Sequence, residues 1–579
     1  MHCNLIHSTL SHTTHLINYM KPPRTYARIL LFLGICSITA CVEQAPKEEQ
    51  SVKEKKVIGK QEGDLFSKEA FVQKLSAVLH PVDTLDSTFR KRGVTVRNSL
   101  AYTYMKAGYR PLWLEEKGVT EAAATFISEL DSLKYDGLDP AKYSQQSLAG
   151  SLEKFKKGQA TLEEVIAFDT TCTRNYLRAS HDLLFGVITP KTADDQWFHT
   201  NDTVWSAPAA LYNGQSVEAK YTNLDSYRPA IVTYAMLRDE YRRYEVLAKD
   251  ADLNNAKTAL GTKAIASDSS VQYIIKTELP WAQSVAGDTL GTSAQMVRQF
   301  QEYNGLPATG RTDSTTVRYL ARNPDSVLNI ITANMERIRW LPRQFEAQYV
   351  LVNIPLMELY YRKGTENAFN MRVVVGKPSR QTPALNANMA NVVFSPPWGV
   401  PPTILKNDVL PGLTKRGGSY LAKKGLKAYD HKGKQVNASA INSKNYRSYT
   451  FRQPPGARNA LGEVKFNLPN KWDIYLHDTP HREDFPKRYR AKSSGCVRVE
   501  RPKDFAEFIL AELEGRNFTP EIIDSIIETR HTRYEQLSKK IPVHIIYLTA
   551  FEDSSNQHLR LLGDIYHRDA KLIAALAAN

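Results

Sequence analysis

A cysteine and a histidine near the C-terminal end are the residues of this chain best suited to chemistry. Residues 472–500, WDIYLHDTPHREDFPKRYRAKSSGCVRVE, place His477 after an alternating apolar stretch and Cys496 directly after a Ser-Ser-Gly turn. A thiol attacks well only as a thiolate, and a neighbouring imidazole that accepts its proton is the usual means of activation. For an isolated pair the simpler interpretation would be a small buried cysteine and a structural histidine.

The histidine is expected at the end of a short strand over residues 472–477. Because side chains alternate along a strand, the apolar residues would face inward while Tyr475 and His477 face the open side. A second candidate base, His481, lies four residues later in the charged HREDFPKRYR segment. His477 is preferred because it lies at the strand end.

The cysteine is expected at the start of a second strand, over residues 496–500, with Cys496 and Arg498 on one face. Gly495, directly before it, has no Cβ, so the turn can adopt positive φ and a substrate can approach the backbone closely. Backbone N–H groups around Gly495 and Cys496 could then stabilise a developing oxyanion.

Longer stretches around these residues resemble a known family. HDTP at 477–480 followed by SSGCVRV at 493–499 resembles the signature of the L,D-transpeptidase catalytic domain of the YkuD type. Segments 394–411, 454–470 and 541–551 resemble the larger, periplasmic YcbB-like branch of that family.

The resemblance implies a peptidoglycan L,D-transpeptidase that forms 3-3 cross-links between stem peptides through a thioester on Cys496, with His477 as the base. It also implies that carbapenems acylate Cys496. Ser494 and Gly495 would form the oxyanion turn and the Asp478 carbonyl would orient the imidazole, although many relatives carry a histidine where this chain has Ser494. Two alternatives stay open: an L,D-carboxypeptidase or wall-trimming hydrolase on the same scaffold, and a non-catalytic peptidoglycan-binding lipoprotein.

Three further residues are candidates for substrate binding. Trp398 lies in SPPWGVPP, whose four prolines predict a stiff loop, and the resemblance makes this tryptophan a wall of the cleft. Tyr475 shares the face of His477. Arg498 could contact a substrate carboxylate or form a structural ion pair, and the sequence does not decide between these roles. No cofactor is implied, and no cysteine or histidine motif has the spacing of a metal site.

The N-terminal residues predict export. In residues 1–41 a basic stretch precedes an apolar run, Ile29–Ile38, that is too short to span a bilayer. Ile38-Thr39-Ala40-Cys41 then resembles a bacterial lipobox, in which Cys41 carries the lipid; an ordinary signal peptide cleaved after Ala40 is the alternative. We therefore expect a location on the periplasmic side of the cell envelope with a lipid anchor in a membrane.

The remaining chain predicts an α+β multidomain protein with a mainly antiparallel β catalytic domain. The expected parts are a flexible tether at 42–64, a helical scaffold at 65–262, a three-helix peptidoglycan-binding-like module at 263–325, a catalytic domain at 346–552 with a capping insertion at 404–455, and an extension at 553–579.

Charge and cysteine usage limit the partners. The 579 residues carry a net charge of +15, but the basic residues are dispersed, and export makes nucleic acid an improbable partner. Stem peptides of the cell wall, as donor and acceptor, are the expected substrates, and D,D-carboxypeptidases or glycan synthases are candidate partners. Cys172, in a helical stretch, is expected to pack as a small apolar residue, although a disulfide with Cys496 stays possible from sequence.

Overall fold

The structure is a computed structural model. It describes residues 64–79, 96–201, 203–213, 223–262, 267–282, 292–553 and 558–579. The predicted export signal with Cys41, and the predicted tether apart from its last residue, lie outside these ranges. Within them, no helix has the length and apolar character needed to cross a bilayer, and no group of side chains could hold a metal ion.

Helices dominate the N-terminal half of the described chain. The α-helices in the described ranges are α1 (Lys68–Val78), α2 (Val96–Lys106), α3 (Glu121–Ser132), α4 (Gln145–Lys156), α5 (Leu162–Phe185), α6 (Pro190–Ala193), α7 (Ala207–Asn213), α8 (Val232–Ala248), α9 (Ala251–Thr262), α10 (Asp268–Glu278), α11 (Thr292–Tyr303), α12 (Ser314–Leu320), α13 (Pro324–Arg339), α14 (Pro402–Ile404), α15 (Leu410–Arg416), α16 (Gly418–Lys423), α17 (Pro502–Glu507), α18 (Pro520–Glu528) and α19 (Asp569–Ala578). Most long helices begin at a Ser, Thr, Asp or Asn whose side chain accepts a hydrogen bond from the first turn, as Thr161 does for α5.

Strands dominate the C-terminal half. They are β1 (Leu114–Glu115), β2 (Gly118–Val119), β3 (Gln348–Asn353), β4 (Glu358–Lys363), β5 (Glu366–Gly376), β6 (Leu385–Phe394), β7 (Trp398–Gly399), β8 (Lys427–Tyr429), β9 (Gln435–Val436), β10 (Thr450–Gln453), β11 (Val464–Asn467), β12 (Leu476–His477), β13 (Ala491–Ser493), β14 (Val497–Val499), β15 (Arg533–Ile546), β16 (Ala550–Asp553) and β17 (His558–Leu561). Helical and β-rich parts in one chain confirm the predicted α+β multidomain class.

A nine-stranded sheet forms the framework of the C-terminal half. Its order is β13-β5-β14-β12-β11-β6-β15-β3-β4, and β4 also pairs with β5, so the sheet closes on itself. The pairs β12–β14, β13–β5 and β15–β3 are parallel and the others are antiparallel, so the sheet is mixed. Its interior is filled by fully buried side chains such as Val350, Leu385 and Val497.

The helices pack around two separate hydrophobic cores. Helices α1–α5 and α7 surround one core, which includes Trp113, Phe126 and Tyr176. Helices α8–α13, which include the three helices of the region predicted as a peptidoglycan-binding-like module, share the core of the sheet instead.

A segment from the N-terminal half lies directly on the sheet domain. The backbone N–H of Phe198 donates to the Ala384 carbonyl over 2.7 Å, and the N–H of Ala384 donates to Gln196 over 2.9 Å. The Phe198 ring packs against Trp472 with ring centroids 4.4 Å apart. The helical region therefore supplies part of the surface beside the predicted reactive residues.

The stretch predicted as a capping insertion forms a small unit. Strands β7, β10, β8 and β9 make a four-stranded sheet, and α15 and α16 pack on it around Leu413, Leu421 and Phe451. Trp398, from the proline-rich loop, lies on β7 and therefore belongs to this unit.

The two strands predicted around the reactive residues are shorter than expected. The first is only β12, because Asp473 has φ of 54°, a left-handed conformation that breaks an extended strand. The second is β14, which begins one residue after Cys496. The alternation holds in both: Ile474, Leu476 and Val497 are buried in the core.

Candidate active site

Parallel pairing of two short strands brings the predicted reactive residues together. In the β12–β14 register, Leu476 is opposite Val497 and His477 is opposite Arg498. The N–H of Val497 also donates to the Tyr475 carbonyl over 3.2 Å, which keeps Cys496 level with Tyr475. Paired residues of neighbouring strands point to the same face. Tyr475, His477, Cys496 and Arg498 therefore share one face.

This face opens into a large cleft. The cleft has a volume of about 1240 Å³ and is lined by residues of three parts of the chain: Gln196 of the helical region, Asp408 of the capping unit, and Cys496 and His477 of the sheet domain. A space of this size accommodates peptide substrates.

His477 is buried and neutral. Its Nδ1 lies 2.5 Å from the Asp478 carbonyl oxygen, which can only accept, so the proton is assigned to Nδ1 and the lone pair to Nε2. Burial, helped by the positive charge of Arg498, lowers the pKa of His477 to about 3. The imidazole is therefore available as a proton acceptor at neutral pH.

Asp478 is held rigidly next to that histidine. Its carboxylate accepts from the N–H groups of Glu463 (2.8 Å) and Thr479 (2.6 Å) and pairs with Arg482 at 2.6 Å. Gly462 leaves room for this carboxylate, since a Cβ there would lie 2.3 Å from it. These contacts fix the carbonyl that orients His477.

Cys496 is a free, half-buried thiol. Its Sγ lies 3.5 Å from the carbonyl oxygen of Asp473, the residue with left-handed backbone. Burial raises the pKa of Cys496, although hydrogen bonds with Tyr475 and the charge of Lys465 oppose the shift. The sulfur is therefore protonated at rest and needs a base to become a nucleophile. Cys172 is buried in α5 and is also free, so the possible disulfide is not formed.

The turn before Cys496 is tightly held. Gly495 has φ of 125°, a conformation that other residues rarely adopt. Its N–H donates to Ser493 Oγ over 3.1 Å, and its carbonyl accepts from Thr382 Oγ1 over 2.6 Å. Ser494 Oγ accepts from Arg380 over 3.1 Å.

The candidate substrate-binding residues line the same cleft but differ in their contacts. Trp398 lies on β7, packs against the core of the capping unit, and forms a hydrogen bond with Tyr475. Arg498 lies 3.7 Å from Asp484. The arrangement around Arg498 therefore favours the ion pair among the two roles that the sequence left open.

Lys465, Gln196 and Arg380 are among the residues of the cleft that the sequence analysis missed. Lys465 lies opposite His477 in the β11–β12 register, with its ammonium 4.1 Å from the Tyr475 ring centroid. Gln196 and Arg380 also line the cleft. Alternation along β11 could have placed Lys465 on the reactive face, whereas no local pattern indicates the other two.

Comparisons with known proteins match two parts of the chain. Residues 347–535 match the L,D-transpeptidase catalytic domain family (YkuD), and residues 98–240 match the scaffold domain family. A curated protein of Haemophilus influenzae described as a putative L,D-transpeptidase is 33% identical over 245 residues, which are 42% of this chain and 48% of that protein. The chain thus spans about half the length of this relative.

A solved structure described as the Ldtfm-avibactam carbamoyl enzyme also matches. It is 13% identical, covers 36% of this chain and 51% of its own, and has a TM-score of 0.18. A similarity at that level supports no inference about the site.

Proposed function

Because the chain belongs to the L,D-transpeptidase family, we propose that it forms 3-3 cross-links between peptidoglycan stem peptides through a thioester on Cys496. The observation that carries the proposal is the position of Cys496 and a neutral His477 on one face of adjacent strands in a single cleft. A thiol and an uncharged imidazole in this arrangement have the chemistry of a nucleophile and its base.

The first step is acylation. The Cys496 sulfur attacks the carbonyl carbon of the amide between the third stem residue, at its L-centre, and the terminal D-alanine, while His477 Nε2 takes the thiol proton. The N–H of Cys496 is the candidate oxyanion donor, since that of Gly495 is engaged with Ser493. His477 then gives the proton to the departing nitrogen. The C–N bond breaks, D-alanine leaves, and a thioester remains.

The second step transfers the acyl group. The side-chain amine of the third residue of a neighbouring stem attacks the thioester carbonyl, and His477 accepts a proton from that amine. The new amide bond forms, the C–S bond breaks, and the proton returns to the Cys496 sulfur. The imidazole begins and ends the cycle neutral, which agrees with its lowered pKa.

The proposal is tested by product analysis. Purified protein incubated with disaccharide tetrapeptide should release D-alanine and yield 3-3 linked dimers, which mass spectrometry distinguishes from tripeptide monomers. Monomers alone would make the protein an L,D-carboxypeptidase that transfers the acyl group to water. No D-alanine release and no acylation would favour a non-catalytic wall-binding protein.

We also propose that the capping unit is closed over the cleft by one ion pair. Arg380 donates to both carboxylate oxygens of Asp408, at 2.5 and 2.8 Å, and to Ser494 next to the nucleophile. The pair is partly exposed, so it contributes about 1 kcal/mol or less. Its position makes it a link between the cap and the reactive turn.

Asp408→Asn should therefore lower kcat/KM for D-alanine release by about twofold to fivefold, a factor that corresponds to the loss of an exposed ion pair. Hydrogen exchange should increase within residues 404–455 while the Tm stays constant. Asp430→Asn is the matched control, since this cap residue accepts only from its own turn. Unchanged exchange in Asp408→Asn would refute the link.

The cellular setting is part of the proposal. Membership in this family supports a cell-wall substrate and a location on the periplasmic side of the envelope. Lipidation of Cys41 stays a prediction, as do the D,D-carboxypeptidase or glycan synthase partners, because the lipobox lies outside the described residues.

A further inference from the structure

Lys465 occupies a central position in the cleft. It lies opposite His477 in the sheet register and lines the cleft together with Cys496. Its ammonium lies over the ring of Tyr475, which in turn forms hydrogen bonds with Cys496. This lysine is therefore one aromatic side chain away from the nucleophile.

The Asp473 carboxylate acts on the charge of Lys465, but no carboxylate in the described part of the chain lies within 4.0 Å of its ammonium, so the lysine makes no direct ion pair there. Two arginines of the same cleft differ in this respect, since Arg380 pairs with Asp408 and Arg498 with Asp484. A half-buried cation loses hydration, and a tyrosine ring compensates only in part. The site is thus poised to receive an anion.

The proposed donor substrate carries an anion at a suitable distance. The leaving D-alanine ends in a carboxylate one residue beyond the scissile carbonyl, and one residue of extended chain spans about 3.5 Å. A cation beside the nucleophile can therefore contact the carboxylate while the sulfur attacks the carbonyl. Arg498 suits this role less well because it lies 3.7 Å from Asp484, although Asp484 is shared with Lys487 and Lys492.

We infer that Lys465 binds the free carboxylate of the departing D-amino acid and so restricts the enzyme to donors that end at that residue. A longer donor, or one with a C-terminal amide, would place a neutral group against a cation that has no direct ion pair. The inference rests on the proposed function, because it names a specificity determinant of the same cleft.

The first experiment compares tetrapeptide donors that end in D-alanine or in D-alaninamide. Wild-type protein should prefer the free acid by about tenfold or more in kcat/KM, the size expected for a charged hydrogen bond. Lys465→Met should lose this preference, whereas Lys465→Arg should keep most of it. Lys471→Met is the matched control, since Lys471 also lies over an aromatic ring, that of Trp472, but outside the cleft lining.

The second experiment does not depend on transpeptidation. Iodoacetate and iodoacetamide alkylate the same sulfur, but only iodoacetate has a carboxylate next to the reacting carbon. Lys465→Met should lower the ratio of the iodoacetate rate to the iodoacetamide rate at Cys496 by about tenfold. Lys471→Met should leave this ratio unchanged. Thermal unfolding of each variant verifies that it is folded. If Lys465→Met is not folded, Lys465→Arg, which keeps the positive charge, still tests whether that charge sets the ratio.

The two experiments separate the failures. If no donor is turned over but the alkylation ratio falls, the anion site stands and the proposed function fails. If both alkylating reagents slow equally, or if the acid and amide donors lose the same factor, Lys465 acts on the sulfur and not on a carboxylate, and the inference is overturned. An unchanged ratio in Lys465→Met overturns it as well.

Discussion

Cys496→Ala should abolish both D-alanine release and carbapenem acylation while leaving the fold intact. The side chain is only half-buried, and its sulfur contacts the Asp473 carbonyl at 3.5 Å and Tyr475, so alanine removes the nucleophile without opening the core. We expect turnover to fall by about 10⁴-fold or more, since removal of a nucleophile usually leaves little activity. Mass spectrometry of the peptide that contains residue 496 measures acylation directly.

The chain offers a matched control for this experiment. Cys172 is the other free cysteine of the described residues, fully buried in α5, and burial raises its pKa well above the usual range. Cys172→Ala should keep wild-type turnover and the carbapenem mass shift, at a modest cost in stability. Acylation that persists in Cys496→Ala would exclude the proposed nucleophile.

The protonation states of Cys496 and His477 before substrate binds explain why the thiol needs a base beside it. Burial keeps Cys496 protonated and keeps His477 neutral, so neither residue is charged before a substrate arrives. The ion pair of thiolate and imidazolium then forms only when the sulfur attacks. A protonated thiol is also less open to oxidation than a thiolate.

The sequence could predict the reactive face because the information is local. His477, Gly495 and Cys496 lie within twenty residues, and alternation along two short strands decides which side chains point together. The start of the first strand was predicted too early, because Asp473 lies in a turn in which the Asn470 side chain accepts from the N–H groups of Trp472 and Ile474.

Other parts of the cleft could not be predicted because they come from distant segments. Gln196 reaches the site only because its backbone pairs with Ala384, and Arg380 only because a loop after β5 meets the cap. Neither contact is accompanied by a periodic pattern of residue types in the sequence. The mixed sheet has the same origin, because its parallel pairs β13–β5 and β15–β3 join strands that are far apart in the sequence.

His477→Ala should lower kcat/KM for D-alanine release by about 10³-fold, within the range of a lost general base. Since its pKa is lowered to about 3, wild-type acylation should be nearly constant between about pH 5 and pH 8, without an inflection near 6.5, the ordinary histidine pKa. Without the imidazole, the rate should follow the thiolate fraction and rise about tenfold per pH unit below the raised pKa of Cys496.

This pH profile distinguishes a base from a residue that only supports the fold. His481→Ala is the control, because His481 is exposed and the hydrogen bond of its side chain goes to Glu483, at 3.3 Å. This variant should keep the flat profile and the wild-type rate within about twofold, as expected of a surface substitution. A flat profile in His477→Ala, or a large loss in His481→Ala, would move the proton transfer to another group. The pH-independent acylation rate of the wild type would then have to come from a residue other than His477.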